Sequence, residues 1–255
     1  MRYKHFLVQE KAILGSGRSV DISEDVALTL LNKHCSDAVK AYKKGSRIQR
    51  GVRNDAEYLS VDPKSGKPRK SANTKNYYTI LMDNMKSWGQ YPKRSESLIC
   101  STGNVSFGYG YMFVVFPYNG AKIGVAPERD LWLSFRKSLN GKNLDQINNN
   151  ISTIMKHMNV QISDKSYLDI LNAFGTFDMF IKDKPQKLNV LIDGGIEWLE
   201  GYKGDLLKHV RKALDPNYNE FELKSIGDAL PKDREVWTDS KCVMISTKKI
   251  DLMGI

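Results

Sequence analysis

Three short stretches of this 255-residue chain set reactive side chains at the ends of strand-like segments. Arg50-Gly51 closes the run Arg47-Ile48-Gln49-Arg50-Gly51-Val52. Ser101-Thr102 closes Ser97-Leu98-Ile99-Cys100-Ser101, and Asp233-Arg234-Glu235 opens Arg234-Glu235-Val236-Trp237. An arginine fork grips anionic oxygens through paired, charge-assisted hydrogen bonds. A carboxylate placed beside a reacting centre stabilises positive charge as it develops there. Phe107-Gly108-Tyr109-Gly110-Tyr111 alternates glycine with aromatics, which suits either a stacking surface for nucleobases or a flexible lead into the strand at Tyr111.

Other chemistries lack their residues. There is no GxxxxGK[ST] phosphate loop and no GxSxG elbow, and Gly15-Ser16-Gly17 has neither a third glycine nor a strong strand before it. His5, His34, His157 and His209 are scattered, and Cys35, Cys100 and Cys242 show no CxxC spacing, so no metal site is expected.

The elements that must position these residues follow from hydrophobic spacing. Ser23-Glu24-Asp25-Val26 starts a helix with a hydroxyl cap and first-turn acids, and apolar residues recur through Tyr42 at helical spacing up to Gly45. A second helix is predicted over about Thr74 to Trp88, after a polar loop at Asp62 to Asn73. Tyr111 to Phe116 is the strongest strand, closed by the turn signal Pro117-Tyr118-Asn119-Gly120. From Asp130 to Leu214 the pattern is mainly helical, with helices starting after Asn143, after Ser163 and near Gln186. Arg234 to Trp237 and Lys241 to Ile245 read as two strands around Thr238-Asp239-Ser240. The class is α+β, with strands toward both ends of the sequence and a helical block between them.

In this order, arginine, serine-threonine and acid-x-glutamate, the chain resembles the Arg-Ser-Glu class of mono-ADP-ribosyltransferases, which includes bacterial toxins and phage-encoded host-modifying enzymes. The carrying residues are Ile48-Gln49-Arg50-Gly51, Cys100-Ser101-Thr102-Gly103 and Asp233-Arg234-Glu235, and Glu235 to Ile245 is similar to the family's closing hairpin. The resemblance covers roughly Ser23 to Gly124 and Pro231 to Thr247. It implies a mixed or antiparallel β core of ADP-ribosyltransferase type, one catalytic domain over 1–255 with a helical insertion at about 128–230. It also implies NAD as co-substrate, no metal, and a protein or nucleic-acid acceptor of ADP-ribose. Glu235 would stabilise the oxocarbenium-like transition state and hold the ribose 2′-hydroxyl, as carboxylates do in glycoside hydrolysis. Arg50, with Gly51, would clamp the pyrophosphate. Ser101, with Thr102, would orient the ribose or the glutamate, and an aromatic from Phe107, Tyr109 or Tyr111 would stack on the nicotinamide. Asp233 stands where the family selects and activates the acceptor. Glu220-Phe221-Glu222 is a second acid-x-glutamate, and Glu222 is the runner-up to Glu235 for the position that the resemblance implies. Glu235 is preferred because a strand, a polar turn and another strand follow it. Gly103 replaces the second serine of the family's Ser-Thr-Ser, Asp233 its usual Glu or Gln, and the separation of Ser101 from Glu235 is longer than the family's norm.

Charge and cysteine usage bear on partners and compartment. The net charge of +10 falls between Lys40 and Arg94, a segment with fourteen basic and four acidic residues. A basic segment steers toward polyanions, so residues 40–94 are a candidate nucleic-acid contact, and a non-enzymatic nucleic-acid-binding or virion-associated protein is the alternative reading. An odd number of cysteines without pairing fits a reducing compartment. With no apolar run of membrane length and no leader pattern, a cytoplasmic protein without a membrane partner is expected.

Overall fold

A computed structural model describes residues 18–69, 76–103, 110–157 and 166–250. Among the described residues nine strands form one sheet: β1 (Ser19–Asp21), β2 (Gln49–Val52), β3 (Tyr58–Val61), β4 (Leu98–Ser101), β5 (Tyr111–Pro117), β6 (Lys122–Val125), β7 (Glu222–Ser225), β8 (Glu235–Thr238) and β9 (Cys242–Ser246). Their order is β1-β3-β9-β5-β2-β4-β8-β6-β7, and every neighbouring pair is antiparallel. The protein is thus α+β with an antiparallel sheet. The chain divides into two compact units: residues 1–73, 90–130 and 221–255, whose described residues include the sheet, and Thr74–Gly89 with Leu131–Glu220, whose described residues form helices.

In the sheet unit, α1 (Glu24–His34) and α2 (Ser36–Lys43) replace the single helix expected from Ser23 to Tyr42. The cause lies far away in sequence. The Asn119 amide N–H donates to the His34 carbonyl, and Asn119 Oδ1 accepts from Asp37 N–H at 3.0 Å and from the Ser36 hydroxyl at 3.3 Å. One turn residue thereby closes the first helix and opens the second, while Ala27, Leu31, Cys35 and Ala38 are buried in the same core as Phe113, Phe116 and Ile245. The short α8 (Thr247–Ile250) follows β9 directly.

The two closing strands do not form the hairpin that the sequence suggests. All five residues of β9 are buried, and β9 pairs on one edge with β3 and on the other with β5. β8 instead lies between β4 and β6. A strand buried on both faces satisfies its backbone by pairing on both edges, and this overrides the short polar turn. The turn is held from elsewhere: Asp239 pairs with Lys64 at 2.8 Å, and the Lys241 carbonyl accepts from Tyr118 N–H.

The helical unit contains α3 (Tyr77–Asn84), α4 (Asp145–His157), α5 (Tyr167–Asp183), α6 (Gln186–Asp193) and α7 (Leu206–Ala213). Its α3 comes from before β4, and residues 221–230, with β7, belong to the sheet unit, so its bounds differ from the block read at about 128–230. The helix expected over Thr74 to Trp88 ends at Asn84, where Met85 turns extended before a 3-10 turn at Lys86–Trp88. Ser166 and Asp169 cap α5 reciprocally. Asp205 caps α7 by accepting from Lys208 N–H at 2.8 Å. Among the described residues no helix is long and apolar enough to cross a membrane.

Candidate functional site

Cross-strand register builds the site. Gln49 of β2 stands opposite Ser101 of β4, and Ser101 stands opposite Glu235 of β8. Residues directly opposite one another share a face with Cβ atoms about 5 Å apart, so these three side chains form a row across three strands. Ser101 and Glu235 are 134 positions apart in the chain and are brought together here. Backbone bonds pin Glu235 from the far side: its N–H donates to the Glu128 carbonyl, and its carbonyl accepts from Ala126 N–H.

Arg50 sits one register position off this row, opposite Phe113 of β5, and the pleat turns successive side chains to opposite faces. It is buried, between Ile48 and Val52 of the core, and its Nη1 donates to the Ile99 carbonyl. Since β2 and β4 share only the Gln49–Ser101 pair, this bond staples the two strands just past the end of their ladder. Gly51 is buried opposite Met112. Tyr111, half-exposed, lies opposite Val52, and the Lys248 ammonium stands 5.6 Å from its ring centre. It is therefore set apart from the row, two strands from β4. Phe107 and Tyr109 lie outside the described residues.

Thr102 organises the turn that leads into Glu235. Its hydroxyl donates to the Pro231 carbonyl at 2.6 Å and accepts from Arg234 N–H at 3.0 Å, while its own N–H donates to the Arg234 carbonyl at 2.9 Å. Ser101 Oγ accepts from Gly103 N–H at 3.0 Å. The same turn carries Asp233 in the left-handed backbone region, at φ +56°, exposed and pressed against Gly103. A Cβ on residue 103 would lie 2.2 Å from Asp233 Oδ1 and 2.9 Å from its Cα. The glycine that departs from Ser-Thr-Ser is thus the space in which Asp233 sits.

Glu222, the competitor, is exposed on the outermost strand β7, three strands from β4, and pairs with Lys224 at 2.7 Å. Register sets Glu235, not Glu222, beside Ser101.

One residue of the site was invisible to motif reading. Arg94 Nη1 donates to Glu235 Oε1 at 2.7 Å, and its guanidinium lies 4.9 Å from the ring centre of Trp237, two residues beyond Glu235 on the same face of β8. Trp237 is fully buried; its indole N–H donates to the Pro92 carbonyl at 2.9 Å, and Tyr91 and Phe221 contact its ring. Across the sheet it lies on Gly124, where a Cβ would come within 2.2 Å of Cε2. Nothing in Pro92-Lys93-Arg94-Ser95 sets Arg94 apart from Lys93, which is exposed.

Among the described residues no group of three His, Cys, Asp or Glu is placed to hold a metal ion. Compared with known proteins, the chain matches no family model, no curated protein and no solved structure.

Proposed function

We propose that the chain is a mono-ADP-ribosyltransferase, with its antiparallel sheet as a core of ADP-ribosyltransferase type and NAD as co-substrate. The observation that carries this reading is the register of Ser101 against Glu235, with the Arg50 strand on the other side of β4. In the reaction the bond between C1′ of the ribose and the nicotinamide nitrogen breaks. Its electron pair leaves with nicotinamide, which departs neutral, and the ribosyl group passes through an oxocarbenium-like state. The Glu235 carboxylate stabilises that charge and accepts from the 2′-hydroxyl. The acceptor nucleophile then bonds to C1′ and releases its proton to the exposed Asp233 or to solvent. Ser101 orients the ribose beside Glu235. Arg50, on the opposite face of β2 and bonded to the Ile99 carbonyl, braces the strands that carry this row, and the pyrophosphate role that the resemblance implies for it is not part of this reading.

The test is incubation with labelled NAD and bacterial lysate, comparing wild type, Glu235→Gln and Glu222→Gln. Wild type and Glu222→Gln are expected to release nicotinamide and transfer label, and Glu235→Gln to lose at least 100-fold, about the scale of one transition-state contact. A wild type with neither nicotinamide release nor transfer overturns the proposal, and a loss confined to Glu222→Gln moves the site to β7.

A further inference from the structure

We infer that Arg94 is the positioning residue for Glu235, holding its carboxylate in the orientation that NAD cleavage needs; this rests on the reading of Glu235 given above. Register fixes the backbone of a residue at a strand end, and the orientation of its carboxylate is set by what the side chain meets. Arg94 constrains the carboxylate of Glu235 directly. Its side chain is 3% exposed and that of Glu235 14%, so the 2.7 Å contact is largely shielded from water and from competing ions. One carboxylate oxygen is then held by Arg94 at the inner end of the row.

The holder is itself held. Arg94 begins a 3-10 turn, Arg94–Glu96, and the backbone around it is bonded on several sides. The Ser95 carbonyl accepts from Arg69 N–H at 2.6 Å and from Arg18 Nη2 at 3.4 Å. Ser97 Oγ donates to the Lys93 carbonyl at 2.6 Å, and the Pro92 carbonyl accepts from the Trp237 indole. Trp237 thus joins β8 to the Arg94 segment twice, through Pro92 and through the ring beneath the guanidinium. Such a built support pre-organises a reactive group before substrate arrives, and a displacement of about 1 Å at that group costs on the order of 100-fold in rate.

The experiment measures nicotinamide release from NAD, separating kcat from KM, for wild type, Arg94→Lys and Trp237→Phe, each well below its own melting temperature. Arg94→Lys keeps the charge and loses the planar fork; Trp237→Phe keeps an aromatic face and frees Pro92. Both are expected to lower kcat about 10- to 100-fold with KM within about threefold, because neither Arg94 nor Trp237 meets substrate and the misplaced carboxylate is needed most where positive charge develops, in the transition state. Wild-type kcat in either folded variant overturns the positioning role and leaves the NAD reading intact. A rise in KM at unchanged kcat also overturns it, since Arg94 then acts on binding. A wild type that releases no nicotinamide removes both readings together.

Discussion

Replacing Gly124 by alanine probes the packing beneath the site without touching any group proposed to meet substrate. The new Cβ would lie 2.2 Å from Trp237 Cε2 and 2.4 Å from Cζ2. Carbon atoms settle about 3.5–4.0 Å apart, so the ring or the strand must give by more than about 1 Å. The ring has little room, because its N–H is bonded to Pro92 and its faces and edges meet Tyr91, Phe221 and Arg94. Overpacking of a rigid core costs about 1–3 kcal/mol. A ring that slides also gives up its indole hydrogen bond, about 1 kcal/mol, and part of its contact with the guanidinium. The expected destabilisation is therefore about 2–4 kcal/mol, a fall in melting temperature on the order of 10 °C for a unit of this size. Denaturant titration followed by circular dichroism measures it. A second arm pairs the change with Trp237→Phe, whose single ring relieves the clash, so Gly124→Ala should cost at least about 1 kcal/mol less in that background. Wild-type stability for Gly124→Ala, or strict additivity of the two changes, would refute this account of Gly124.

Three further outcomes are expected. Gly103→Ser should move the 231–234 turn, since Asp233 Oδ1 can rotate away but its Cα, 2.9 Å from the added Cβ, cannot; a cost of about 1–3 kcal/mol in unfolding and reduced NAD turnover check this. Arg50→Lys should lower stability by about 1–3 kcal/mol at unchanged KM for NAD, because the bond that staples β2 to β4 is weakened; a tenfold rise in KM at unchanged melting temperature would contradict this. At alkaline pH, burial pushes the Cys35 thiol up to about 12 and the Cys242 thiol well above its ordinary value. Burial and the bond to Glu24 push Tyr58 up to about 12. A raised folded-state value means that the fold retains the proton, so this stability is complete below about pH 9 and is lost as pH rises toward 12. The slope is at most about 1.4 kcal/mol per pH unit for each group. Constant stability between pH 8 and 11, or rapid thiol labelling of the native protein at pH 8, would contradict it.

What the sequence reveals of this fold depends on whether the decisive contact is local. β4, β5, β8 and β9 are legible because each is a run of apolar, β-branched or aromatic residues that is mostly buried. β6 is not, because Gly124, the residue that makes room for Trp237, reads in isolation as a strand breaker. β1 is three residues long, and β7 is an outer strand with exposed polar residues, so neither shows an alternating pattern. The break between α1 and α2 depends on Asn119, more than eighty positions away, and no local pattern encodes it. The site divides in the same way. Ser101 and Glu235 carry a signal in their order and strand context. Gln49 and Arg94 join them only through register and a buried ion pair, which spacing does not express.

The charge excess, read from sequence as a surface that attracts polyanions, divides between surface and interior once the fold is known, with Arg47 exposed and Arg53 half-buried among the arginines. Lys40, Lys43, Lys44, Lys64, Lys67, Lys86 and Lys93 of the basic segment are exposed, but Arg50, Arg69 and Arg94 are buried, as is Arg18 just before it. The difference follows from chemistry. A guanidinium is more weakly hydrated than an ammonium and offers five donors in a plane, so it can enter the interior where carbonyls and carboxylates receive it. Arg18 does so on the carbonyls of Ser65 and Lys67, Arg50 on Ile99, and Arg94 on Glu235. Burial, and next the neighbouring Arg69, hold the Arg18 guanidinium below its ordinary pKa, which marks these charges as part of the architecture. Salt-dependent attraction to an acidic target therefore falls to the exposed lysines and Arg47, while the buried arginines set the strands and the carboxylate in place. Neutralising exposed lysines should weaken encounter with a polyanion and leave NAD cleavage intact, and changes at Arg94 should do the reverse.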